Sequence, residues 1–173
     1  MVTAAIIVLI LLAALLAFAA TRPDQFRVER SIAINAPTAK IYPLIADFHN
    51  WRAWSPWESV DSDLKRSYSG ATAGERAVYE WEGRKAGTGR MEIKHASPDW
   101  HLFIQLDFIK PFEGHNTAEF TLTPEANATT VTWAMYGPTT FMGKLMSVFM
   151  SMDKYLGGQF EQGLRNLKAA TEK

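Results

Sequence analysis

Few side chains in this 173-residue sequence are placed for acid–base chemistry inside a protein. Glu58 closes a tryptophan-rich segment, and Tyr79 falls on the inward side of a predicted strand. Burial raises the pKa of a carboxyl group toward neutrality, which general acid–base catalysis exploits. Glu58 and Tyr79 are therefore candidate catalytic residues. The alternative for Glu58 is a surface carboxylate, or one that accepts a hydrogen bond from a Trp N–H or a backbone donor. Asp47 and His49 precede the tryptophan-rich segment, and His49 is expected in a loop or cap.

Other kinds of chemistry find no support in the sequence. The four histidines show no helical i, i+4 spacing, and without cysteines there is no zinc-binding pattern. No phosphate-binding glycine loop and no G-x-S-x-G elbow is present. We therefore expect no metal and no cofactor. Lys plus Arg equals Asp plus Glu, at 18 each, so nucleic acid is not an expected partner.

The chain begins with a long apolar segment. Val2 to Ala20 carries no charge, and as a helix it would span about 28 Å, close to the thickness of a bilayer core. The pattern predicts a transmembrane anchor over residues 1–22, followed by one domain over residues 25–173. A cleaved signal peptide is the rival, since Ala17–Ala19 resembles a cleavage site, but the basic n-region of such peptides is missing.

The protein is expected to be a membrane protein whose chain crosses the bilayer once. Arg22, Arg27 and Arg30 follow the apolar segment, whereas only the α-amino group precedes it. Because positive charge tends to remain on the cytoplasmic side, this small bias favours a cytoplasmic domain.

The domain alternates apolar and polar residues with a period of two over most of its length, as half-buried strands do. Short turn-prone connections predict an antiparallel, strongly curved sheet of about seven strands. The predicted strands are Gln25–Ile34, Leu64–Ser69, Arg76–Glu82, Gly87–His95, Trp100–Ile109, Asn116–Thr123 and Thr129–Tyr136. Short helices are predicted near Ala39–Phe48 and Phe141–Met150.

A long amphipathic helix is predicted to end the chain and to cover the concave face of this sheet. Its stripe comprises Met152, Leu156, Phe160, Leu164 and Leu167. Between helix and sheet we expect a hydrophobic ligand site, because the inward set is rich in aromatic residues and methionine. The predicted ligand-binding residues are Trp54, Trp57, Tyr79, Trp81, Met91, Leu106, Phe108, Phe120, Trp133, Met135, Leu156, Gly157 and Phe160.

Two local features leave alternatives open. Trp51, Trp54 and Trp57 either plug one end of the core or wall a pocket, since Trp combines a large apolar body with one N–H. Gly157, Gly158 and Gly163, inside the long helix, either allow a close approach to the sheet or leave room for a ligand. Gly87 and Gly89, like Gly157 and Gly158, are small residues where a packed core would have large ones, which favours a pocket.

Several stretches together resemble the polyketide cyclase/dehydrase-like branch of the START-like (SRPBCC) superfamily. They are VERSIAINAP, FHNWRAWSPWE, YEWEG, FIKPF, VTWAMYG and MDKYLGGQFEQGLRNLK. The resemblance covers Gln25 to Lys173 and implies an α+β helix-grip fold, in which the curved sheet wraps around the final helix and encloses a cavity. Members of the superfamily include cyclases, lipid-transfer domains and hormone binders, so the fold does not determine the activity.

Three functions are therefore considered. The leading one is a membrane-anchored binding or carrier module for a hydrophobic small molecule, such as a lipid, a quinone or a polyketide-like compound. The second is a cyclase- or dehydratase-type enzyme that uses Glu58 with Tyr79. The third is a protein-interaction module whose cavity is incidental.

Overall fold

A computed structural model of the protein describes residues 2–149 and 151–173. The described chain forms four α-helices, two short 3₁₀ helices and one sheet. The helices are α1 (Val2–Ala20), α2 (Thr38–Ala46), α3 (Phe141–Phe149) and α4 (Met152–Thr171), with 3₁₀ helices at Phe48–Ala53 and Pro56–Ser59. The strands are β1 (Gln25–Ile34), β2 (Lys65–Gly70), β3 (Ala77–Gly83), β4 (Gly87–Ser97), β5 (His101–Lys110), β6 (Gly114–Pro124) and β7 (Thr129–Pro138).

The seven strands form a single antiparallel sheet in the order β1-β7-β6-β5-β4-β3-β2. Consecutive strands pair directly from β2 to β7, because their connections are short, and β1 joins the free edge of β7. The predicted α+β fold with a curved seven-stranded sheet and a C-terminal helix is confirmed. Each predicted strand is present, and the largest shift of a boundary is two residues.

The side chains predicted to face inward do so. Ile93, Leu102, Ile104, Phe120 and Leu122 have no exposed surface, and Tyr79, Met91 and Trp133 are also buried. Trp81 and Phe108 are partly buried against the same core. The alternation of the sequence therefore identifies the concave face correctly, because successive side chains of a strand point to opposite faces.

Helix α4, helix α2 and the first 3₁₀ helix cover the concave face. Helix α4 packs mainly on β1 and also contacts β7, α2 and both 3₁₀ helices. Its N-cap is Ser151, whose Oγ accepts a hydrogen bond from the backbone N–H of Lys154 at 3.3 Å. Trp51 and Trp54, from the first 3₁₀ helix and its end, cover the middle of the sheet and pack against Phe120 and Trp133. The sequence predicts α4 as the cover of this face, and the structure adds α2 and the first 3₁₀ helix to it.

Helices α1 and α3 lie against each other at the end of the sheet where β1 begins and β7 ends, which we call the α1 end. Arg22 donates hydrogen bonds to the Oγ and carbonyl oxygen of Ser147 in α3, at 3.3 and 3.0 Å, and Lys144 pairs with Asp24. Met150, where the predicted α3 helix would end, lies outside the described residues.

Within residues 2–149 and 151–173, no helix meets the combined requirement of length and apolar character for a membrane span. The predicted helix itself is present as α1. Its role as a transmembrane anchor stays a prediction.

Candidate ligand cavity

A cavity of about 130 Å³ lies between the sheet, the second 3₁₀ helix and the first half of α4. Strands β3 to β7 each contribute at least one inward side chain to its wall. The complete lining is Trp51, Ser55, Trp57, Glu58, Leu64, Tyr79, Trp81, Ala86, Met91, Leu106, Phe108, Ala118, Trp133, Met135, Leu156 and Phe160. All but Ser55 and Glu58 are apolar or aromatic, as ligand pockets usually are.

Ten of the thirteen residues predicted to bind a ligand line this cavity. Trp54, Phe120 and Gly157 do not. Trp54 and Phe120 are fully buried one layer away, where they pack edge to face at 6.0 Å between ring centroids. Whether the lining residues bind a ligand stays a prediction.

Five lining residues were not predicted as site residues, for two reasons. Trp51, Ser55, Leu64 and Ala86 lie in 3₁₀ helices or loops, where alternation gives no direction. Alternation predicts that Ala118 faces inward on β6, but the type of so small a side chain does not by itself suggest contact with a ligand. A small residue among large inward neighbours is the signal that marks this position.

The tryptophan cluster serves both purposes that the sequence allowed. Trp51 and Trp54 plug the core, and their Nε1–H groups donate to the carbonyl oxygens of Ile45 and Leu44, both at 2.8 Å. Trp57 walls the cavity and contacts Trp133 and Phe160 edge to face. Trp51 has both roles, since it also lines the cavity, whereas Trp57 lies beyond the first 3₁₀ helix and forms part of the wall only.

The structure brings the two candidate catalytic residues together. Tyr79 donates its hydroxyl hydrogen to Oε1 of Glu58 at 2.7 Å, and Arg66 of β2 donates to Oε2 at 2.6 Å. Arg66 also donates to the carbonyl oxygen of Glu58 at 3.0 Å, which fixes the second 3₁₀ helix to the sheet. The carboxylate therefore has a structural role, but its donors are an arginine and a tyrosine and not the Trp N–H or backbone donor of the alternative interpretation.

Two side-chain donors hold the carboxylate of Glu58 at the cavity wall. The Glu58 side chain is only 8% exposed, but its ion pair with Arg66 compensates for the lost hydration. Burial, and then the hydrogen bond to Glu58, raise the pKa of Tyr79 well above its ordinary value. The hydroxyl of Tyr79 is therefore a hydrogen-bond donor and a poor acid at neutral pH.

A second, polar pocket of about 350 Å³ adjoins the cavity and shares Ser55 and Glu58 with it. Arg52, Arg66 and Asn166 also line this pocket. Glu58 thus lies at the border between an apolar space and a polar one.

His49 lies outside the cavity, as expected for a loop residue. Asp47 caps the first 3₁₀ helix by accepting a hydrogen bond from the backbone N–H of His49 at 2.9 Å. The ring of His49 stacks on Tyr68, with 4.0 Å between centroids. Among the described residues, no group of three His, Asp or Glu side chains is arranged to hold a metal ion.

The glycines of α4 do not open the cavity. A Cβ atom on Gly157 would lie 2.1 Å from Nη2 of Arg30, and one on Gly163 would lie 2.8 Å from Cζ3 of Trp133. Gly158 is exposed and has open space around it. Close contact with the neighbouring structure, the alternative reading, therefore accounts for Gly157, and the suggestion that it leaves room for a ligand is wrong.

Comparison with known proteins settles the family. Residues 25–172 match the family described as polyketide cyclase/dehydrase and lipid transport. The chain belongs to this family. A search of curated proteins found no match.

Solved structures similar to this family member share its fold at low identity. DynU16, a protein of the dynemicin biosynthetic locus, is 18% identical with a TM-score of 0.62, over 88% of this chain and 48% of that one. The present chain thus spans about half of DynU16. The Aha1 dimer of Colwellia psychrerythraea is 15% identical with a TM-score of 0.62, over 85% and 96% of the two chains. A Chromobacterium violaceum protein is 14% identical with a TM-score of 0.60, over 88% and 99%.

Proposed function

We propose that this protein is a membrane-anchored binding module for a hydrophobic small molecule such as a lipid, a quinone or a polyketide-like compound. The observation that carries the proposal is the cavity of about 130 Å³, whose wall is apolar apart from Ser55 and Glu58. Packed cores contain few voids larger than a water molecule, so a space of this size calls for an occupant. Family membership agrees with hydrophobic ligand binding or cyclase-type chemistry.

The size of the cavity limits what enters it. An engineered apolar cavity of roughly 150 Å³ holds one benzene molecule, whereas typical ligand pockets have volumes of roughly 300 to 1,000 Å³. We infer that this cavity holds one ring or a short acyl segment, and that the rest of a larger ligand extends toward the α1 end or the polar pocket.

The membrane part of the proposal is supported by helix α1. Its 19 residues have no charge, and the side chains from Ile6 to Leu12 are all exposed. Exposed apolar surface on this scale marks an interaction site. We propose that a bilayer covers it, with a single crossing and the domain on the cytoplasmic side, which Arg22, Arg27 and Arg30 favour.

Further apolar surface lies at the α1 end of the sheet. Helix α3 exposes Phe141, Met142, Met146 and Phe149, and the β5–β6 connection exposes Phe112. The cavity reaches toward the same end, because Ala86 lies in the β3–β4 turn and Phe108 lies near the end of β5. A hydrophobic molecule leaving a bilayer there would have a short apolar path to the cavity.

A cavity-filling variant tests the binding function. Ala118→Leu, on β6, places three extra carbon atoms in the cavity, whereas Thr117→Leu places leucine on the opposite face of the same strand. Native mass spectrometry of the full chain, released from detergent, should find a co-purified small molecule on wild type and on Thr117→Leu, and none on Ala118→Leu. Equal occupancy of all three proteins contradicts binding in this cavity, and so does a wild type without any bound molecule.

A cyclase- or dehydratase-type enzyme is the second candidate, because Glu58 and Tyr79 lie hydrogen-bonded at the cavity wall. Its test is chemical conversion. The molecule recovered from wild type should then differ by loss of one water from the molecule recovered from Glu58→Gln. Identical molecules on both proteins favour binding alone.

A further inference from the structure

Trp133 carries a buried hydrogen-bond donor without an acceptor. It lines the cavity and is 2% exposed, and its Nε1–H has no partner among the described residues. Three other tryptophans show what such a donor normally finds. The Nε1–H groups of Trp51, Trp54 and Trp81 each donate to a backbone carbonyl oxygen, at 2.8, 2.8 and 3.2 Å. Trp133 is the cavity-lining residue whose buried donor remains unpaired, and unpaired buried donors are rare.

The indole ring of Trp133 is packed between aromatic rings on both sides. Phe160 stacks on it with 4.4 Å between centroids and 7° between planes, and Phe120 lies at 4.9 Å. The benzo edge, Cζ3 and Cη2, lies closest to Gly163 of α4. The Nε1 edge therefore lies on the side of the ring away from Gly163, in a fixed direction.

Building on the proposed function, we infer that the ligand presents a neutral carbonyl oxygen to Nε1 of Trp133. A carbonyl is what the other three tryptophans bind, and a neutral one suits a wall that already contains the Glu58 carboxylate. Together with the size of the cavity, this assigns the ligand class: a ring ketone or quinone, or the ester end of a short acyl segment. A plain hydrocarbon would leave the donor unpaired, which disfavours it.

Two probes of nearly the same shape separate the donor from the cavity. Acetophenone carries a carbonyl group where α-methylstyrene carries a carbon–carbon double bond, so both test the apolar space and only the first accepts a hydrogen bond. The full chain in detergent, labelled with nitrogen-15 on its indoles, gives one N–H signal for each of its six tryptophans. We expect acetophenone to move the Trp133 signal downfield and α-methylstyrene to leave it without that displacement.

The variant Trp133→Phe keeps an aromatic ring in the stack and removes the donor. A hydrogen bond of ordinary net strength corresponds to roughly a three- to tenfold change in affinity, which is the expected loss for acetophenone. The affinity for α-methylstyrene, which accepts no hydrogen bond, should be nearly the same in the wild type and in Trp133→Phe. Should Trp133→Phe fail to fold, the wild-type spectra still decide, because the Trp133 signal can be assigned by elimination with variants of the other five tryptophans.

The outcomes distinguish this inference from the function on which it rests. If both probes bind and neither moves the Trp133 signal downfield, the carbonyl inference is overturned, while hydrophobic binding stands. If neither probe perturbs any indole signal of a cavity-lining tryptophan, the proposed binding function fails as well.

Discussion

The two ends of the concave face are built on the same strands and differ in how they are packed. At the filled end, defined by Ile93, Leu102, Ile104, Leu122 and Val131, no side chain has any exposed surface. At the cavity end, defined by Met91, Leu106, Phe108, Ala118 and Met135, the side chains surround the empty space and retain some exposure. A step of two to four residues along a strand is enough to pass from one end to the other.

The residue types explain this difference. The filled end contains only Ile, Leu and Val. Ile and Val are branched at Cβ and have few rotamers, so these side chains pack densely. The cavity end contains two methionines, one leucine, one phenylalanine and one alanine, a mixture of sizes that leaves irregular space to which a flexible thioether chain can adjust. The comparison teaches that a cavity arises when the size and stiffness of inward residues change, while their polarity stays the same.

The largest expected effect comes from the same truncation made at two positions of β5, one at the filled end of the concave face and one at the cavity end. Leu102→Ala should lower the free energy of unfolding by about 3 to 5 kcal/mol, because it opens a void in a filled core. Leu106→Ala, on the same face, should lower it by roughly 1 to 2 kcal/mol less, since it only enlarges an existing space. Urea denaturation measures both. Equal losses would mean that the cavity end is as tightly packed as the filled end.

A smaller effect is expected from the neighbouring glycines of α4. Gly158→Ala meets open space and should stabilise the protein by about 0.5 to 1 kcal/mol through helix propensity. Gly157→Ala displaces the Arg30 guanidinium from Asp153 and Glu161. Its free energy of unfolding should therefore be lower than that of Gly158→Ala by at least roughly 1 kcal/mol. The melting temperatures of the two variants decide. If Gly157→Ala is as stable as Gly158→Ala, the Arg30 side chain can move away from position 157 without loss of stability.

The smallest effect concerns the way α4 is attached at each end. Its second half buries Leu164 and Leu167, whereas its first turn is held by Arg30, which lies 2.9 Å from Oδ1 of Asp153. The hydrogen bond from Arg30 lowers the pKa of Asp153 below its usual 3.8. Because the folded-state pKa is the lower one, the stability that this pair contributes is present above pH 3.8 and is lost as the pH falls through the lowered pKa.

The matching experiment compares the wild type with Asp153→Asn across pH. We expect the wild type to melt at a higher temperature at neutral pH and the two curves to converge at acidic pH. A difference that persists unchanged into acid would mean that packing, and not the charge of Asp153, holds this turn.

The fold could be predicted because its main determinant is local. Alternation along each strand assigns a face, and the period of α4 assigns its stripe, so Tyr79, Met91 and Trp133 were placed inward correctly. The depth of a residue within that face is not local. Trp54 and Phe120 share the face and the chemistry of the cavity residues, but they pack against the plug formed by the first 3₁₀ helix.

Long side chains were the other source of error. Gly89 and Gly157 look like open positions in the sequence, but Trp81 extends over Gly89, and the guanidinium of Arg30 fills the space beside Gly157. These contacts join residues 8 to 127 positions apart, and no periodicity encodes which side chain reaches which glycine. The unpaired Nε1–H of Trp133 is likewise visible only once its surroundings are known.

The connection between α1 and the domain is too short to act as a leash. Only Thr21 to Asp24 separate the last residue of α1 from β1, which allows about 15 Å at full extension. Arg22 is also tied to Ser147, and the carbonyl oxygen of Asp24 accepts a hydrogen bond from the N–H of Thr139 at 2.8 Å. If α1 lies in a bilayer, as proposed, the domain would stay at a fixed height above the membrane surface. It would then meet the proposed ligand by diffusion in two dimensions.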